Sequence, residues 1–362
     1  MSPTPSIVAE ADDFGAVPEG VVALADWSDL ARARLSPDRW AYLAGHAGDG
    51  HAARRNREAF ERAEIVPRVL LDDRVVDTAT MLLGRRIAVP MLVAPVAHQG
   101  LFHPMAERAS AMAAAAVETI FVASTLSTLP LEAIAAAADG GGQWFQLYVQ
   151  PDRGLTDELV ARAEAAGYEA LVITVDAPVF GIRNVEQRAG FRLPPELAPG
   201  NLAGRAAPDT AGGRIAALLA HRPTWADIER IAALTRLPVI LKGILDVDDA
   251  ERALASGAVG VVVSNHGGRV LDLAPAALDR VTPIRVRLGD GALILMDGGV
   301  RRGSEVRVAL DRGADAVMVG RPLIEALAVG GPLGVAHALG TLRDEFAVTL
   351  ALAGRPARWA SR

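Results

Sequence analysis

Apolar, β-branched runs alternate with alanine-rich segments of helical character from about residue 90 onward. Each run has the length and composition of a buried parallel strand. The eight runs begin at Met91, Ile120, Gln143, Ala170, Pro238, Gly260, Leu293 and Ala316. Strands that alternate with helices form parallel βαβ units, and a count of eight favours a closed barrel over an open sheet. We therefore predict an α/β fold of the (β/α)8 TIM-barrel type.

One connection between these runs is unusually long. The step from Ala170 to Pro238 is 68 residues, whereas most other steps are between 22 and 33 residues. The excess lies in residues 177–223, which are rich in proline and glycine and show little periodicity before Arg214. Loops that follow barrel strands lie at the C-terminal face of the barrel, where active sites are found. We predict that residues 177–223 form an active-site lid, with a disordered surface excursion as the alternative.

The segment before the first run has a different character. Residues 1–26 contain acidic residues and prolines and lack the basic start and apolar core of a signal peptide, so we expect a poorly ordered tail. Residues 27–44 read as helical with a break at Ser36-Pro37, and a further short helix is predicted at residues 56–60. We assign residues 27–362 to a single barrel domain.

Charge and cysteine content exclude several classes of protein. The net charge of −6 and the pI near 5.7 provide no electrostatic surface for nucleic acid or an anionic membrane. The chain has no cysteine, which excludes disulfides, thiolate metal sites and cysteine nucleophiles. Two weakly charged runs, at residues 109–131 and 326–342, fall short of a membrane span. We expect a cytoplasmic protein that binds no metal, nucleic acid or membrane.

The sixth run ends in Ser264-Asn265-His266-Gly267-Gly268-Arg269, which contains side chains suited to catalysis and ligand binding. Histidine is the usual side chain for proton transfer near neutral pH, and the planar fork of arginine suits a carboxylate. A base beside a carboxylate clamp indicates proton abstraction from a small organic acid. A strand-end turn with a structural histidine and a solvated arginine is the alternative.

The ends of the seventh and eighth runs indicate a phosphate-bearing cofactor, and the fifth run carries a lysine with several interpretations. Glycine-rich turns follow the seventh and eighth runs and carry Arg301 and Arg321, which is typical of a phosphate pocket in barrels. No Gly-x-Gly-x-x-Gly motif follows an early strand, so a nicotinamide-binding Rossmann domain is disfavoured. Lys242, from the fifth run, has three interpretations: a Schiff base, a charge beside a reduced flavin, or an ion pair with Asp297 or Asp176.

Six separated motifs resemble those of the FMN-dependent 2-hydroxy-acid oxidase and dehydrogenase family, which includes glycolate oxidase, lactate oxidase and mandelate dehydrogenase. The resemblance extends from about Trp27 to the C-terminus. Residues 94–97 and 101–104 are most similar to the 4-hydroxymandelate oxidases. The six motifs are Gln146-Leu147-Tyr148, Thr174-Val175-Asp176-x-Pro178, Leu241-Lys242-Gly243, Ser264 to Arg269 with Leu271-Asp272, Asp297 to Gly303, and Gly320-Arg321-Pro322.

The resemblance implies oxidation of an L-2-hydroxy acid, with an aryl or medium-sized side chain, to the 2-keto acid by bound FMN. O₂ would then accept the electrons and leave as hydrogen peroxide. By the same resemblance, His266 is the base and Asp176 holds its imidazolium. Four further residues would bind the substrate, with Arg183 and Arg269 on its carboxylate: Tyr42, Tyr148, Arg183 and Arg269.

The resemblance also implies an FMN site and an assembly. Lys242 would lie near N1 and O2 of the flavin, and Asp297 would bind the ribityl chain. A homo-oligomer, specifically a tetramer, is expected. The residues implied to contact FMN are Pro95, Val96, Ala97, Ser124, Gln146, Thr174, Lys242, Ser264, Asp297, Gly298, Gly299, Arg301, Gly320 and Arg321.

Departures from the family pattern leave alternatives open. Leu126 stands where some members carry tryptophan, which would open the substrate pocket toward bulky side chains. His98 is either a specificity contact or a loop histidine that faces solvent. Ala97 matches oxidases better than the glycine of some dehydrogenases. A dehydrogenase with a quinone or protein acceptor, an FMN-barrel isomerase of isopentenyl diphosphate and a non-catalytic flavin-binding barrel are the other interpretations.

Overall fold

The computed structural model describes residues 13–70, 76–204 and 222–354. Eight parallel strands close into a barrel, and each of them begins within one residue of its predicted start. The prediction of a (β/α)8 barrel is thereby confirmed. In chain order the barrel strands are β3 (Met91–Val93), β4 (Ile120–Ser124), β5 (Gly142–Leu147), β6 (Leu171–Thr174), β7 (Val239–Ile244), β8 (Gly260–Val263), β9 (Leu293–Asp297) and β10 (Ala316–Val319).

The lower half of the barrel interior is filled with side chains. Strands β1 (Thr80–Leu82) and β2 (Arg85–Ile87) form an antiparallel hairpin before the barrel, which the sequence analysis did not predict. Leu82 and Ile87 from this hairpin join Trp144 and other barrel side chains in one apolar cluster. This packing fills the N-terminal end of the barrel, so within the described residues we expect a ligand site at the C-terminal end of the strands.

Helices surround the barrel and cover its outer face. The helices that precede the barrel are α1 (Leu24–Arg34), α2 (Pro37–Ala44) and α3 (His51–Glu61). The helices within and after the barrel are α4 (Ala106–Ala116), α5 (Leu131–Ala137), α6 (Arg153–Ala165), α7 (Asn184–Arg188), α8 (Trp225–Leu234), α9 (Val247–Ala255), α10 (Ala277–Leu288), α11 (Gly303–Asp311) and α12 (Arg321–Ala353).

The structure corrects two predicted boundaries near the N-terminus. Helix α1 begins at Leu24, inside the stretch assigned to a tail, because Val21 and Leu24 are buried against the barrel helices. Helix α3 begins at His51 rather than at residue 56. The carboxylate of Asp272, beyond β8, accepts the backbone N–H of Asp49 at 2.8 Å and helps to satisfy this end of α3. Residues 1–12 lie outside the described part of the chain.

Helix α12 is long and apolar enough to cross a membrane. Its most apolar window has a mean hydropathy of 1.4, but 72% of that window is buried. The helix packs against α1, α4 and α11, and Gly331, at a φ of 57°, interrupts its helical geometry. Its apolar character is therefore that of a core helix in the wall of the barrel.

The described part of the predicted lid, residues 177–204 and 222–223, is docked on the barrel between residues 181 and 201. Asn201 is buried, donates to the carbonyls of Ser124 and Thr125 and accepts the N–H of Leu131 at 2.8 Å. Gly200 packs so closely on the segment after β4 that a Cβ there would lie 2.7 Å from backbone atoms. These contacts seat this part of the segment on the barrel, and its assignment as an active-site lid stays a prediction. Residues 205–221, with Gly212-Gly213 and Arg214, lie outside the described residues.

A buried carboxylate holds two loops at the mouth of the barrel. Glu107 on α4 accepts backbone N–H groups from Gln99, Thr128 and Leu129 at 2.8 to 3.2 Å. We expect Glu107→Gln to lower the free energy of unfolding by about 2 kcal/mol, because an amide NH₂ would replace an acceptor of buried donors. Urea unfolding would measure the loss, with the exposed Glu118→Gln as the control. Equal midpoints in the two variants would contradict this structural role.

Candidate active site

A cavity of about 1180 Å³ lies at the C-terminal end of the barrel, and residues at the ends of all eight barrel strands line it. Helices α2 and α3, the segment from residue 177 to 204 and the loops after β3 and β5 contribute further parts of its wall. Asp176 and Ser264 are the two predicted site residues that do not line the cavity, and both contact residues that do. The predicted residues in its wall are Tyr42, Pro95, Val96, Ala97, Ser124, Gln146, Tyr148, Thr174, Arg183, Lys242, His266, Arg269, Asp297, Gly298, Gly299, Arg301, Gly320 and Arg321.

His266 in this wall and Asp176 behind it form a partly buried pair. Nδ1 of His266 lies 2.9 Å from Oδ1 of Asp176, which leaves Nε2 as the ring nitrogen available for proton transfer. Burial alone would raise the pKa of Asp176, but the interactions with His266 and Lys242 outweigh burial and hold that pKa below its ordinary value. Asp176 is therefore an anion at neutral pH and holds the His266 ring at Nδ1, as the predicted role of this pair requires.

Hydrogen bonds from α3 hold the loop that carries His266 in place. Asn56 and Asn265 exchange reciprocal side-chain hydrogen bonds of 2.8 Å, and Asn265 also accepts the N–H of Gly268 at 3.1 Å. A Cβ at Gly268 would lie 2.5 Å from the backbone nitrogen of Ala53, so only glycine fits there. His266 itself has a φ of 57°, a conformation that this network maintains.

The two predicted carboxylate-binding arginines lie side by side on the cavity wall. Nη1 of Arg269 donates to the carbonyls of Leu43 and Gly45 at 3.3 and 2.7 Å, and its guanidinium lies 5.4 Å from the centre of the Tyr42 ring. Nε of Arg183 donates to the backbone carbonyl of Arg269 at 3.3 Å. Burial and the neighbouring Arg183 lower the pKa of Arg269, as expected for two cations held together.

A carboxylate that sequence interpretation missed lies between these arginines. Glu186 on α7 accepts from Nη2 of Arg269 at 3.0 Å and from Nη1 of Arg183 at 3.3 Å. Asn56 was missed as well. Asn56 and Glu186 resemble ordinary polar helix residues in the sequence, and only their contacts with the barrel loops reveal them.

Tyr42 and Tyr148 complete this part of the wall. Burial raises the pKa of both phenols, and Asp176 adds to the effect at Tyr148. Both hydroxyls therefore stay protonated at neutral pH and are available as hydrogen-bond donors. The Tyr42 ring stacks on Phe191 of the lid, with their centres 4.5 Å apart.

Lys242 forms the ion pair that one of its three interpretations predicted. Nζ lies 2.7 Å from Oδ2 of Asp297 and donates to Oγ of Ser264 at 3.0 Å. Burial alone would lower the pKa of Lys242, but Asp297 and Asp176 outweigh burial and raise it, so the ammonium stays charged. Lys242 nevertheless lines the cavity, and this charge is available to a ligand there.

The remaining wall fits FMN. Gln146 on β5 donates to Thr174 at 3.0 Å and lies 3.1 Å from the Ser124 hydroxyl, so a connected polar row crosses the cavity floor. Oδ1 of Asp297 is buried without a partner among the residues that the structure describes, which suits a ribityl hydroxyl. The ammonium of Lys242 would lie where a reduced flavin requires positive charge.

The predicted phosphate end of the cavity is glycine-rich and cationic. Gly298 and Gly299 have φ values of 93° and 99°, and a Cβ on either would lie 2.8 Å from an atom of Asn56. Burial and repulsion by Arg269 and Arg301 lower the pKa of Arg321 to about 9. An anion would relieve this repulsion, which fits a phosphate. In this structure Arg321 donates to the carbonyl of Leu43 at 3.0 Å, beside Arg269.

His98 belongs to the cavity wall rather than to a solvent-facing loop. Its residue is 8% exposed, and its backbone N–H donates to the carbonyl of Leu126 at 3.0 Å. Its ring lies 6.5 Å from that of Tyr42. Together with Phe102 and Phe191, His98 and Tyr42 form an aromatic cluster, and Leu126 lies beside it in the same wall.

Asp176→Asn tests whether the Asp176 carboxylate orients the His266 ring and favours its protonated form during the reaction. An asparagine keeps one hydrogen bond to Nδ1 but supplies no negative charge beside a protonated His266. We expect the rate of flavin reduction by substrate to fall about 100-fold, within the range of general acid–base effects. Anaerobic stopped-flow absorbance would measure it, with FMN content as the control for folding. An unchanged rate would show that the carboxylate has no role in the reaction.

Comparisons with known proteins agree with this geometry. The family profile described as FMN-dependent dehydrogenase matches residues 31–358. An L-lactate oxidase of Alicycliphilus denitrificans is 45% identical over 344 residues, which cover 93% of this chain and 94% of that protein. A 4-hydroxymandelate oxidase of Amycolatopsis orientalis is 44% identical over 340 residues, with 92% and 94% covered.

A solved structure has the same fold. A tyrosine-to-phenylalanine variant of mandelate oxidase with (S)-mandelic acid superposes with a TM-score of 0.87 at 42% identity and covers 94% of this chain and 97% of that one. The resemblance stated from the six motifs is confirmed. The chain belongs to the FMN-dependent 2-hydroxy-acid oxidase family, oxidoreductases that act on a CH–OH group and use FMN as their cofactor.

Proposed function

We propose that this enzyme oxidises L-2-hydroxy acids with an aryl or medium-sized side chain to 2-keto acids and transfers the electrons to O₂, with hydrogen peroxide as the second product. The observation that carries the proposal is the placement of His266, paired with Asp176 behind it, and of the Arg183 and Arg269 guanidiniums in the wall of one cavity. This arrangement pairs a proton acceptor with a carboxylate site, which is what a 2-hydroxy acid requires.

The cavity wall supports each part of the reaction. Arg269 and Arg183 bind the substrate carboxylate, and the protonated hydroxyls of Tyr42 and Tyr148 donate hydrogen bonds to the substrate. His266 takes a proton from the substrate at Nε2, and Asp176 stabilises the resulting imidazolium. The substrate loses two electrons and two protons in becoming the 2-keto acid. FMN, when bound, would supply the two-electron acceptor. The two electrons and two protons would finally pass to O₂ and leave as hydrogen peroxide.

The side chain of the substrate is proposed from the aromatic cluster. His98, Phe102 and Phe191 have ring centres between 4.5 and 6.5 Å from that of Tyr42, the spacing of packed aromatic rings. Leu126 is smaller than the tryptophan of some family members and leaves more room in this wall. An apolar or aryl group would fit there. The mandelate-related names of two of the relatives point the same way.

Anaerobic bleaching of the flavin tests the proposal. The holoenzyme would be mixed with L- and D-lactate, glycolate, mandelate, 4-hydroxymandelate and phenyllactate in turn, and visible absorbance followed. We expect bleaching by the L-enantiomer of an aryl or medium-sized acid, and recovery of the yellow colour with peroxide release when air is admitted. Bleaching without recovery in air would instead identify a dehydrogenase with another acceptor. A protein that takes up no FMN would refute the proposal.

A cytoplasmic location and a homotetrameric assembly remain predictions from the sequence and from the family resemblance. Size-exclusion chromatography with light scattering would measure the assembly directly. A molar mass near four times that of the 37.9 kDa chain is the expected result.

A further inference from the structure

Glu186 is a negative charge built into the carboxylate site. It lies on the lid helix α7, and its side chain is 14% exposed and lines the cavity. It accepts from Arg269 at 3.0 Å and from Arg183 at 3.3 and 3.4 Å. The two cations that would bind a substrate carboxylate are thus already bridged by a carboxylate of the chain itself.

The donor count shows that Glu186 and a substrate carboxylate can bind Arg269 together. A guanidinium has five N–H donors in a fixed plane. Among the described residues, two donors of Arg269 reach the carbonyls of Leu43 and Gly45, and a third reaches Glu186. Two donors therefore remain, which is the number that a bidentate carboxylate uses. Glu186 can stay in place when substrate binds.

The charge count then limits the substrate. Arg183 and Arg269 contribute two positive charges and Glu186 one negative charge, so these three groups have a net charge of +1 before substrate enters. Arg321 lies beside Arg269 but belongs to the proposed phosphate end of the cavity, where the cofactor phosphate would neutralise it. One substrate carboxylate neutralises that charge. A second carboxylate would find no unneutralised charge on Arg183 or Arg269 and would be repelled by Glu186, which is costly where the effective dielectric is low.

We propose that Glu186 is a fixed counter-charge that makes the site selective for 2-hydroxy acids with a single carboxylate. The proposal rests on the proposed function, since it assigns Arg183 and Arg269 to the substrate carboxylate. A purely structural ion pair between the lid and the barrel would hold α7 in place without discriminating between monoanions and dianions. A measured preference for monoanions over dianions therefore distinguishes a counter-charge in the substrate site from a purely structural ion pair.

Two inhibitors of similar size provide the probe. Propionate carries one carboxylate and malonate carries two, neither has a hydroxyl to oxidise, and both are fully ionised at pH 8. The oxidised holoenzyme would be titrated with each, and binding followed by the change in the visible flavin spectrum. The measured quantity is the ratio of the two dissociation constants. A loosened lid that weakens the binding of both ligands equally leaves this ratio unchanged.

The wild-type protein should bind propionate more tightly than malonate. Glu186→Gln, which keeps the shape and removes the charge, should shift the ratio toward malonate by about tenfold or more, given the strength of charge interactions at this range. Glu186→Asp, which keeps the charge, should retain the wild-type preference. Glu196→Gln, an exposed change in the same lid, is the matched control and should leave the ratio unchanged.

Two results would overturn the proposal. One is a wild-type protein that binds malonate more tightly than propionate, a measurement that needs no variant. The other is a ratio in Glu186→Gln that stays within twofold of wild type while propionate still binds. Both outcomes differ from a failure of the proposed function, which would appear as wild-type flavin that no 2-hydroxy acid bleaches.

Discussion

His266→Ala should retain bound FMN and lose flavin reduction by substrate, with a rate about 10³- to 10⁴-fold below that of the wild type. Nε2 of His266 is the ring nitrogen left for proton transfer because Nδ1 is held 2.9 Å from Asp176. Alanine removes the base and leaves the Asp176 carboxylate buried without its partner. Apart from Ser264, the residues assigned to FMN, including Lys242 and Asp297, lie on other strands and their loops and remain in place.

Anaerobic stopped-flow absorbance would measure the rate of reduction, and the ratio of visible to ultraviolet absorbance would report bound FMN. His51→Ala is a suitable control, because His51 lies at the start of α3 and contacts Arg54 rather than the cavity. A His266→Ala protein that is reduced at a near-normal rate would remove His266 from the role of base. Loss of FMN from this variant alone would assign His266 to the architecture of the pocket.

Arg269→Lys should lower kcat/KM by about 10- to 100-fold, the effect of losing a charge-assisted hydrogen bond. Lysine keeps the charge but has three donors on a point charge instead of five donors in a plane. Arg269 already uses three of its five donors on the carbonyls of Leu43 and Gly45 and on Glu186. A lysine could not satisfy these acceptors and a bidentate carboxylate together, so we expect KM to rise.

Steady-state kinetics with the acid identified by flavin bleaching would test this expectation. Arg188→Lys is the matched control, because Arg188 lies on the lid helix α7 with an exposed side chain and does not line the cavity. Unchanged kcat and KM in Arg269→Lys would exclude Arg269 from the carboxylate site. A loss of FMN without a change in KM would instead connect Arg269 with the phosphate end, where Arg321 lies beside it.

The barrel was predictable because its strands are buried on both faces. Helices cover the outside and side chains fill the inside, so each strand reads as a continuous apolar run, as in Val261 to Val263. The hairpin of β1 and β2 was missed because its strands have three residues each and alternate weakly. Short strands carry too little pattern to be recognised.

The site residues were predictable where they stand at strand ends or in a recognised motif. His266 and Asp176 are 90 positions apart, yet barrel closure brings the ends of β6 and β8 to the same cavity. The resemblance to a family then suggested their roles. Those roles, and the roles of Arg183 and Arg269, remain predictions that the kinetic experiments test.

Contacts between distant polar residues were not predictable in this way. Asn56 meets Asn265 across 209 positions, and Glu186 meets Arg269 across 83. The first pair locks the loop that presents the proposed base, and the second sets the charge of the carboxylate site. Each contact needs side-chain atoms from two distant segments to lie within 3 Å of one another, which the order of residues along the chain does not specify.

The sequence by itself therefore determined the barrel, the number of its strands, the end at which the cavity lies and the family to which the chain belongs. These follow from local hydrophobic pattern and from motifs at strand ends, both of which are short-range properties. The tertiary structure decided which charges are paired, which donors remain available and which loops are held rigid. These depend on long-range packing, because a buried carboxylate such as Glu186 acquires its effect only from the cations that the fold brings to it.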